Sequence, residues 1–152
     1  MPTPGAEFLG FLILQNRIKP ESPGVIKELR DAEIRTLMVT GDNILTAISV
    51  SMECGILKPK EKVYIAEISD EGKIVWRQNL MSTQLESIPV EDFSIAMTGS
   101  TFSWIADKKP SILPYLIVKG AVFARMSPDQ KAELGRIYTL NVIVSLHISK
   151  TS

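Results

Sequence analysis

The sequence predicts an α/β fold with a parallel sheet, and three observations carry that reading. Phe8–Leu14 (FLGFLIL) and Arg35–Thr40 (RTLMVT) are short, nearly continuous apolar runs, the pattern of strands covered on both faces. Between them and after them lie stretches with helical spacing and helix-start signals. Strand, helix, strand, helix thus succeed one another within about 55 residues through short connections, as parallel α/β sheets require. The pattern returns at Ala121–Met126, where AVFARM leads directly into SPDQK.

Each element has a local cause. After the first apolar run, Pro20 and Pro23 favour a helix start, and Val25, Ile26 and Leu29 form its apolar stripe. The strand at Arg35–Thr40 ends in Thr40-Gly41-Asp42-Asn43. Asp42 or Asn43 can cap a helix over ILTAISVSMEC, and Gly55 stops it. Val63–Ile68 and Ile74–Arg77 alternate around Asp70-Glu71-Gly72, which predicts an antiparallel hairpin, here read as a solvent-facing insertion. Residues 78–92 are polar and loop-like. Phe93–Met97 reads as a strand and Phe102–Ala106 as a helix start, and Pro110 and Pro114 break up that region. After AVFARM, Ser127, Pro128 and Gln130 make a capping-box helix start. Val142–Ile148 alternates and is expected to form a final strand.

Composition removes several function classes. The 152 residues hold 17 Lys plus Arg and 17 Asp plus Glu, so the formal charge is zero. Nothing there favours nucleic acid or an anionic membrane surface as a partner. A lone cysteine, Cys54, cannot form an internal disulfide, and its apolar helical setting suits a buried, inert thiol. With His147 as the one histidine, no Cys/His zinc constellation exists. The first residues lack a basic start and a long apolar stretch, so no signal peptide is expected. No apolar run approaches the ~20 residues of a membrane span, and the chain is expected to be soluble.

Ligands of open α/β sheets gather beyond the carboxyl ends of the strands. Two such ends carry suitable groups. Thr40 offers a hydroxyl, and Gly41, Asp42 and Asn43 offer amides at a helix N-terminus, where free N–H groups and the dipole favour an anion. Lys131 stands in the first turn of the helix opened by Ser127, where the dipole disfavours a cation, and so is placed to face a negative group. Both features also read as ordinary structure, a capped turn and a solvated lysine. Thr98-Gly99 repeats the first motif, but no equally clear amphipathic helix comes after it, so it reads as a turn. Asp31, Asp70 and Asp107 read as solvated, and no Gly-rich dinucleotide fingerprint, GK[ST] or HExxH motif occurs.

Together the motifs say more. The stretch from FLGFLIL through MVTGDN to MECGIL, with FARMSPDQK later in the chain, resembles the phosphorylation domain of P-type ion-pumping ATPases. The intervening KVYIAEI…AMTGSTFSWI is similar to the fifth class, and more narrowly to its cation- and polyamine-transporting branch, the thirteenth ATPase subfamily. The resemblance covers residues 7 to about 134. It implies a Rossmann-like fold of the haloacid-dehalogenase type, here incomplete, with an inserted hairpin region. It further implies ATP and magnesium as cofactors of the full-length family and an aspartyl-phosphate intermediate. By position, Thr40, Gly41 and Lys131 are implied to bind phosphate, and Asp42 and Asn43 to contact nucleotide or a neighbouring domain.

The departures from that pattern are equally plain. Neither DKTGT, with its nucleophilic aspartate, nor the magnesium-binding GDGxND occurs. No catalytic or metal residue is therefore assigned, and this chain alone is expected to be inactive. The expected organisation is a βαβα unit over 1–57, an insertion over 58–120, a strand and helix over 121–139, and a divergent tail over 140–152, whose NVIVSLHI could take the missing strand's place. The parent would be an endomembrane transporter with this segment facing the cytosol. Two further functional readings stand beside it: a non-enzymatic module that binds a partner such as the full-length transporter, and a stand-alone phosphate- or nucleotide-binding domain, with ATP or phosphate held weakly.

Overall fold

The computed structural model describes residues 7, 9–12, 17–78, 84–85 and 92–149, with 84–85 and 140–149 described in their backbone alone. Six strands form one sheet in the order β1-β6-β5-β2-β3-β4. They are β1 (Met38–Val39), β2 (Lys62–Ile68), β3 (Ile74–Gln78), β4 (Gln84–Leu85), β5 (Phe93–Thr98) and β6 (Gly120–Ala124). The first four in spatial order run parallel, whereas β3 and β4 add antiparallel strands at one edge. The α/β class predicted by the apolar runs is therefore the class observed.

Alternation along the buried strands builds two cores. Val63 and Ile65 of β2 and Val122 of β6 face α2 (Ile44–Cys54), packing on Ile44, Ala47 and Ile48. Tyr64, Ile95, Met97 and Phe123 point the other way. They meet α3 (Gly99–Lys108), α4 (Leu113–Lys119) and the first half of α5 (Pro128–Ser149). Phe123 is fully buried and edge-on to both Phe102 and Tyr138, with centroids 6.4 and 6.5 Å away. Burying such a ring is worth about 3 kcal/mol, so β6 is held from both faces. Tyr138 also donates its hydroxyl to the Ile117 carbonyl at 2.7 Å.

Several expectations change. The hairpin exists, with Glu67 and Arg77 bridged across it at 2.6 Å, but β2 is not solvent-facing. It pairs in parallel with β5 and buries Val63 through Ala66, because its central residues are apolar on both faces. No final strand forms at Val142–Ile148; α5 continues through it to Ser149. No proline or glycine stops that helix after Gly135, and alternation alone has no neighbouring strand to pair with. It therefore fills no missing strand position. The first apolar run fares similarly: Leu9, Phe11 and Leu12 are exposed and outside any strand, and its residues 8, 13 and 14 lie outside the described set. An apolar run needs sheet neighbours on both sides to become a buried strand, and Leu9, Phe11 and Leu12 belong to none of the described strands. The strand foreseen at Arg35–Thr40 is only β1, and it is half-buried because it pairs with β6 alone among the described strands.

The helix foreseen after Pro20 is α1 (Ser22–Asp31), with Pro23 in its first turn, but none of its residues is buried; Val25 is 51% exposed. The expected loop over 78–92 contains β4, and most of its other residues lie outside the described set. No described helix is long and apolar enough to cross a membrane.

Candidate functional site

The carboxyl ends of β1, β6 and β5 lie side by side, and each leads directly into a helix. After β1, Asn43 caps α2 as its residue types predicted: its backbone is extended and its side-chain oxygen accepts from the Leu45 amide at 2.9 Å. Gly55 closes the same helix in the left-handed conformation, φ 83°. After β6, Ser127 and Gln130 form the reciprocal capping box. The Gln130 amide donates to the Ser127 hydroxyl at 3.2 Å, and the Ser127 amide donates to Gln130 Oε1 at 2.9 Å.

Backbone bonds tie two of these loops together. The Thr40 amide donates to the Phe123 carbonyl at 2.9 Å, the Met126 amide to the Thr40 carbonyl at 3.0 Å, and the Arg125 amide to the Asp42 carbonyl at 3.1 Å. Residues 40–42 and 125–126, far apart in sequence, therefore form one connected ridge. Lys131 comes next within α5, its amide donating to the Ser127 carbonyl. Its ammonium is exposed and pairs with no carboxylate among the described residues. Lys131 and the Thr40–Asn43 loop, separate signals as residue patterns and joined only by the resemblance, thus follow neighbouring strands at the same edge of the sheet.

Within the loop, the Thr40 hydroxyl donates to Asp42 Oδ2 at 2.9 Å and accepts from the Asp42 amide at 3.1 Å. This closes a local turn and fixes the hydroxyl. The Gly41 amide, by contrast, has no partner among the described residues. A Cβ on Gly41 would meet nothing within 4 Å, and Gly41 and Asp42 are exposed. The arrangement presents the Gly41 N–H to an anion at the start of α2, while the one Thr40 O–H proton is given to Asp42.

Thr98-Gly99 needs correction. A helix does come after it: α3 starts at Gly99, and Thr98 caps it by accepting from the Thr101 amide at 3.3 Å. Its half-apolar sequence concealed an amphipathic helix whose Phe102 and Ile105 are wholly buried. Arg125, which the sequence did not single out, sits between the loops with φ 50° and an exposed side chain. Its signal was only its place between a buried strand and a capping box.

Asp31 and Asp107 are exposed and paired with Lys27 and Lys108 at 2.6 and 2.9 Å, which fits the solvated reading. Cys54 is buried, and burial together with the Glu53 charge pushes its thiol up, away from the reactive thiolate. No group of three His, Cys, Asp or Glu gathers among the described residues. Asp42 alone supplies a carboxylate to the Thr40 loop, so these residues do not by themselves make a magnesium site.

No family model matches the chain. It is 39% identical to the "Polyamine-transporting ATPase 13A3" of Mus musculus over an alignment of 153 positions, covering 84% of this chain and 13% of that protein. It is 37% identical to the "Vacuolar cation-transporting ATPase YPK9" of Saccharomyces cerevisiae, over 84% of the chain and 10% of that protein. The "Cation-transporting ATPase catp-5" of Caenorhabditis elegans is 34% identical over 92% of the chain and 14% of its own length. The chain spans about an eighth of the length of such relatives. By these matches, the chain belongs to the P-type ATPase 13A family, as a stretch equivalent to part of its members.

Proposed function

We propose that the chain supplies the phosphoryl-clamping portion of the phosphorylation domain in an ATP-driven transporter of cations or polyamines. The carrying observation is the connected ridge, in which backbone bonds from Arg125 and Met126 to the Thr40 loop bring two anion-seeking helix starts together. The Gly41 amide is the open donor to the phosphoryl group, the Thr40 hydroxyl joins it by turning its one proton from Asp42 to a phosphoryl oxygen, and Lys131 is the counter-charge. Oriented donors of this kind supply much of the catalysis of phosphoryl transfer. Until the phosphoryl group arrives, Asp42 accepts that proton and holds the Thr40 hydroxyl in place. Asn43 caps α2, and its side-chain oxygen is already committed to Leu45. The parallel strands flanked by helices on both faces support the haloacid-dehalogenase-type reading of the fold. ATP and magnesium serve the parent's reaction, with the nucleophilic and metal-binding carboxylates coming from outside these 152 residues.

Two measurements test this. Purified chain given labelled ATP and magnesium forms no acyl-phosphate, since positioning groups cannot replace a nucleophile; label retained through denaturation would sink that expectation. Orthovanadate, a phosphate mimic, produces saturable NMR shifts at the Gly41 and Asp42 amides, and Lys131→Ala weakens them about tenfold, the scale of one lost charge-assisted contact. Unmoved amides would leave the loop a capped turn only. A docking-module reading has one observation in favour: β1 is unpaired along its outer side among the described strands. Co-purification with a full-length relative checks it.

A further inference from the structure

A cavity lies at the opposite end of the sheet from the Thr40 ridge. It occupies about 190 Å³ and is lined by Arg30, Arg35, Thr36, Lys58, Ser94 and Ala121, with Ile34 and Ile56 completing its wall. Thr36 precedes β1, and Ser94 and Ala121 are the second residues of β5 and β6, so the cavity sits at the amino ends of three parallel strands. The Thr40 ridge leaves the carboxyl ends of two of them.

Three cationic side chains converge here, and none is paired with a carboxylate among the described residues. Arg35 is anchored: one guanidinium nitrogen donates to the Gly120 carbonyl at 2.6 Å, and its centre lies 5.9 Å from the Tyr138 ring centroid. A guanidinium so fixed keeps its remaining donors oriented. Arg30 extends from the last turn of α1 to the Gly55 turn, its Nη2 within 3.6 Å of where a Gly55 Cβ would stand. The Lys58 ammonium has no partner at all among the described residues. An opposing charge beside the lining is Glu61, whose carboxylate accepts from the Ser94 hydroxyl and from the Lys58 amide at 2.7 Å. The C-terminal end of α2, at Gly55, adds a partial negative charge that Arg30 answers. The lining itself holds three full positive charges and no carboxylate. Unpaired cations around one concavity repel each other, and a compact polyanion removes that cost while satisfying the guanidinium forks. The volume lies below the roughly 300–1,000 Å³ of pockets for drug-sized ligands, which selects a small group over a whole nucleotide.

We propose that this cavity binds a phosphate-bearing ligand, separately from the Thr40 ridge, through Arg30, Arg35 and Lys58. Free phosphate and a phosphorylated lipid headgroup share that chemistry. The test titrates the full chain with inorganic phosphate at constant ionic strength, monitoring amide shifts by NMR. Saturable shifts are expected at Thr36, Ile56, Lys58, Ser94 and Ala121. The double variant Arg30→Glu, Lys58→Glu should weaken them at least about tenfold, whereas Thr40→Ala should not change them. The single variant Lys58→Ala, whose ammonium has no structural partner among the described residues, keeps the test open should the double variant misfold. A parallel arm sediments the chain with phosphatidylcholine vesicles, with and without phosphatidylinositol 4-phosphate. Binding only to the phosphorylated vesicles, competed by phosphate, identifies a headgroup; saturable phosphate binding without sedimentation identifies the free anion. Shifts confined to Gly41–Asn43, or linear shifts equal to those from chloride together with no sedimentation, would overturn the proposal.

Discussion

Thr40-Gly41 and Thr98-Gly99 repeat the same two letters, each at the end of a parallel strand and before a helix, yet the structure uses them differently. At Gly99 the missing Cβ is a packing requirement. A methyl there would collide with Gln130 Oε1 and lie 2.7 Å from the Arg125 carbonyl oxygen. Gln130 fills that space to donate to the Gly99 carbonyl at 2.9 Å and the Ser103 hydroxyl at 2.8 Å, stitching α5 onto α3. Thr98 commits its hydroxyl to Ser100 and Thr101. At Gly41 a methyl would meet nothing, and the backbone shows no left-handed strain there. Gly99 is explained by the chain itself. Gly41 is unexplained by the chain, and close approach of an outside group is the reason the proposed function gives for it.

The largest effect that can break this contrast is Gly99→Ala. Overpacking against a backbone carbonyl, with loss of the Gln130 bonds, is expected to cost about 3 kcal/mol. For a chain of this size that lowers Tm by roughly 10 °C, readable by circular dichroism. A Tm within a degree or two of the parent's would show that Gln130 and the α5 start simply move aside, and the two loops would then be alike.

A pH ramp separates the loops by another route, since α5 also carries Tyr138. Burial between Phe123 and the sheet pushes that phenol up to about 12, with the Arg35 charge opposing. The unfolded chain ionises near 10, so it loses its proton first as pH rises. Stability from this group is complete below pH ~10 and declines toward pH ~12, by about 2 kcal/mol. Tyr138→Phe should remove most of that alkaline decline in urea midpoints. If the decline persists unchanged, ionisation of groups other than the Tyr138 phenol drives it.

These cases show why some of the molecule was legible in its letters. Capping is local chemistry within four residues, so Asn43, Gly55 and the Ser127–Gln130 box were readable without knowing what packs where. Burial is not local. FLGFLIL reads as a strand only if neighbours cover it, and KVYIAEI reads as a surface hairpin until β5 is seen beside it. Val142–Ile148 has strand-like alternation, but the helix upstream reaches it first and nothing stops it. The site obeys the same division. Thr40 and Lys131 were each visible as residue types at a helix start, while Arg125 and the bonds joining the loops depend on β1 and β6 being neighbours, which no window of sequence contains.

The smallest expected effect on stability is the sharpest test of the contrast. Gly41→Ala adds a methyl to open space without forcing φ, and a surface change of that kind stays within about 0.5 kcal/mol. Its Tm should match the parent's, unlike that of Gly99→Ala. The same methyl projects beside an amide that has no partner among the described residues, so it should crowd any anion approaching that N–H. Orthovanadate shifts at Asp42 should then weaken or vanish while the fold is untouched. A variant that loses stability would place Gly41 with Gly99, as a packing glycine. One that keeps both stability and vanadate response would mean the open space beside Gly41 is not where a phosphoryl group sits.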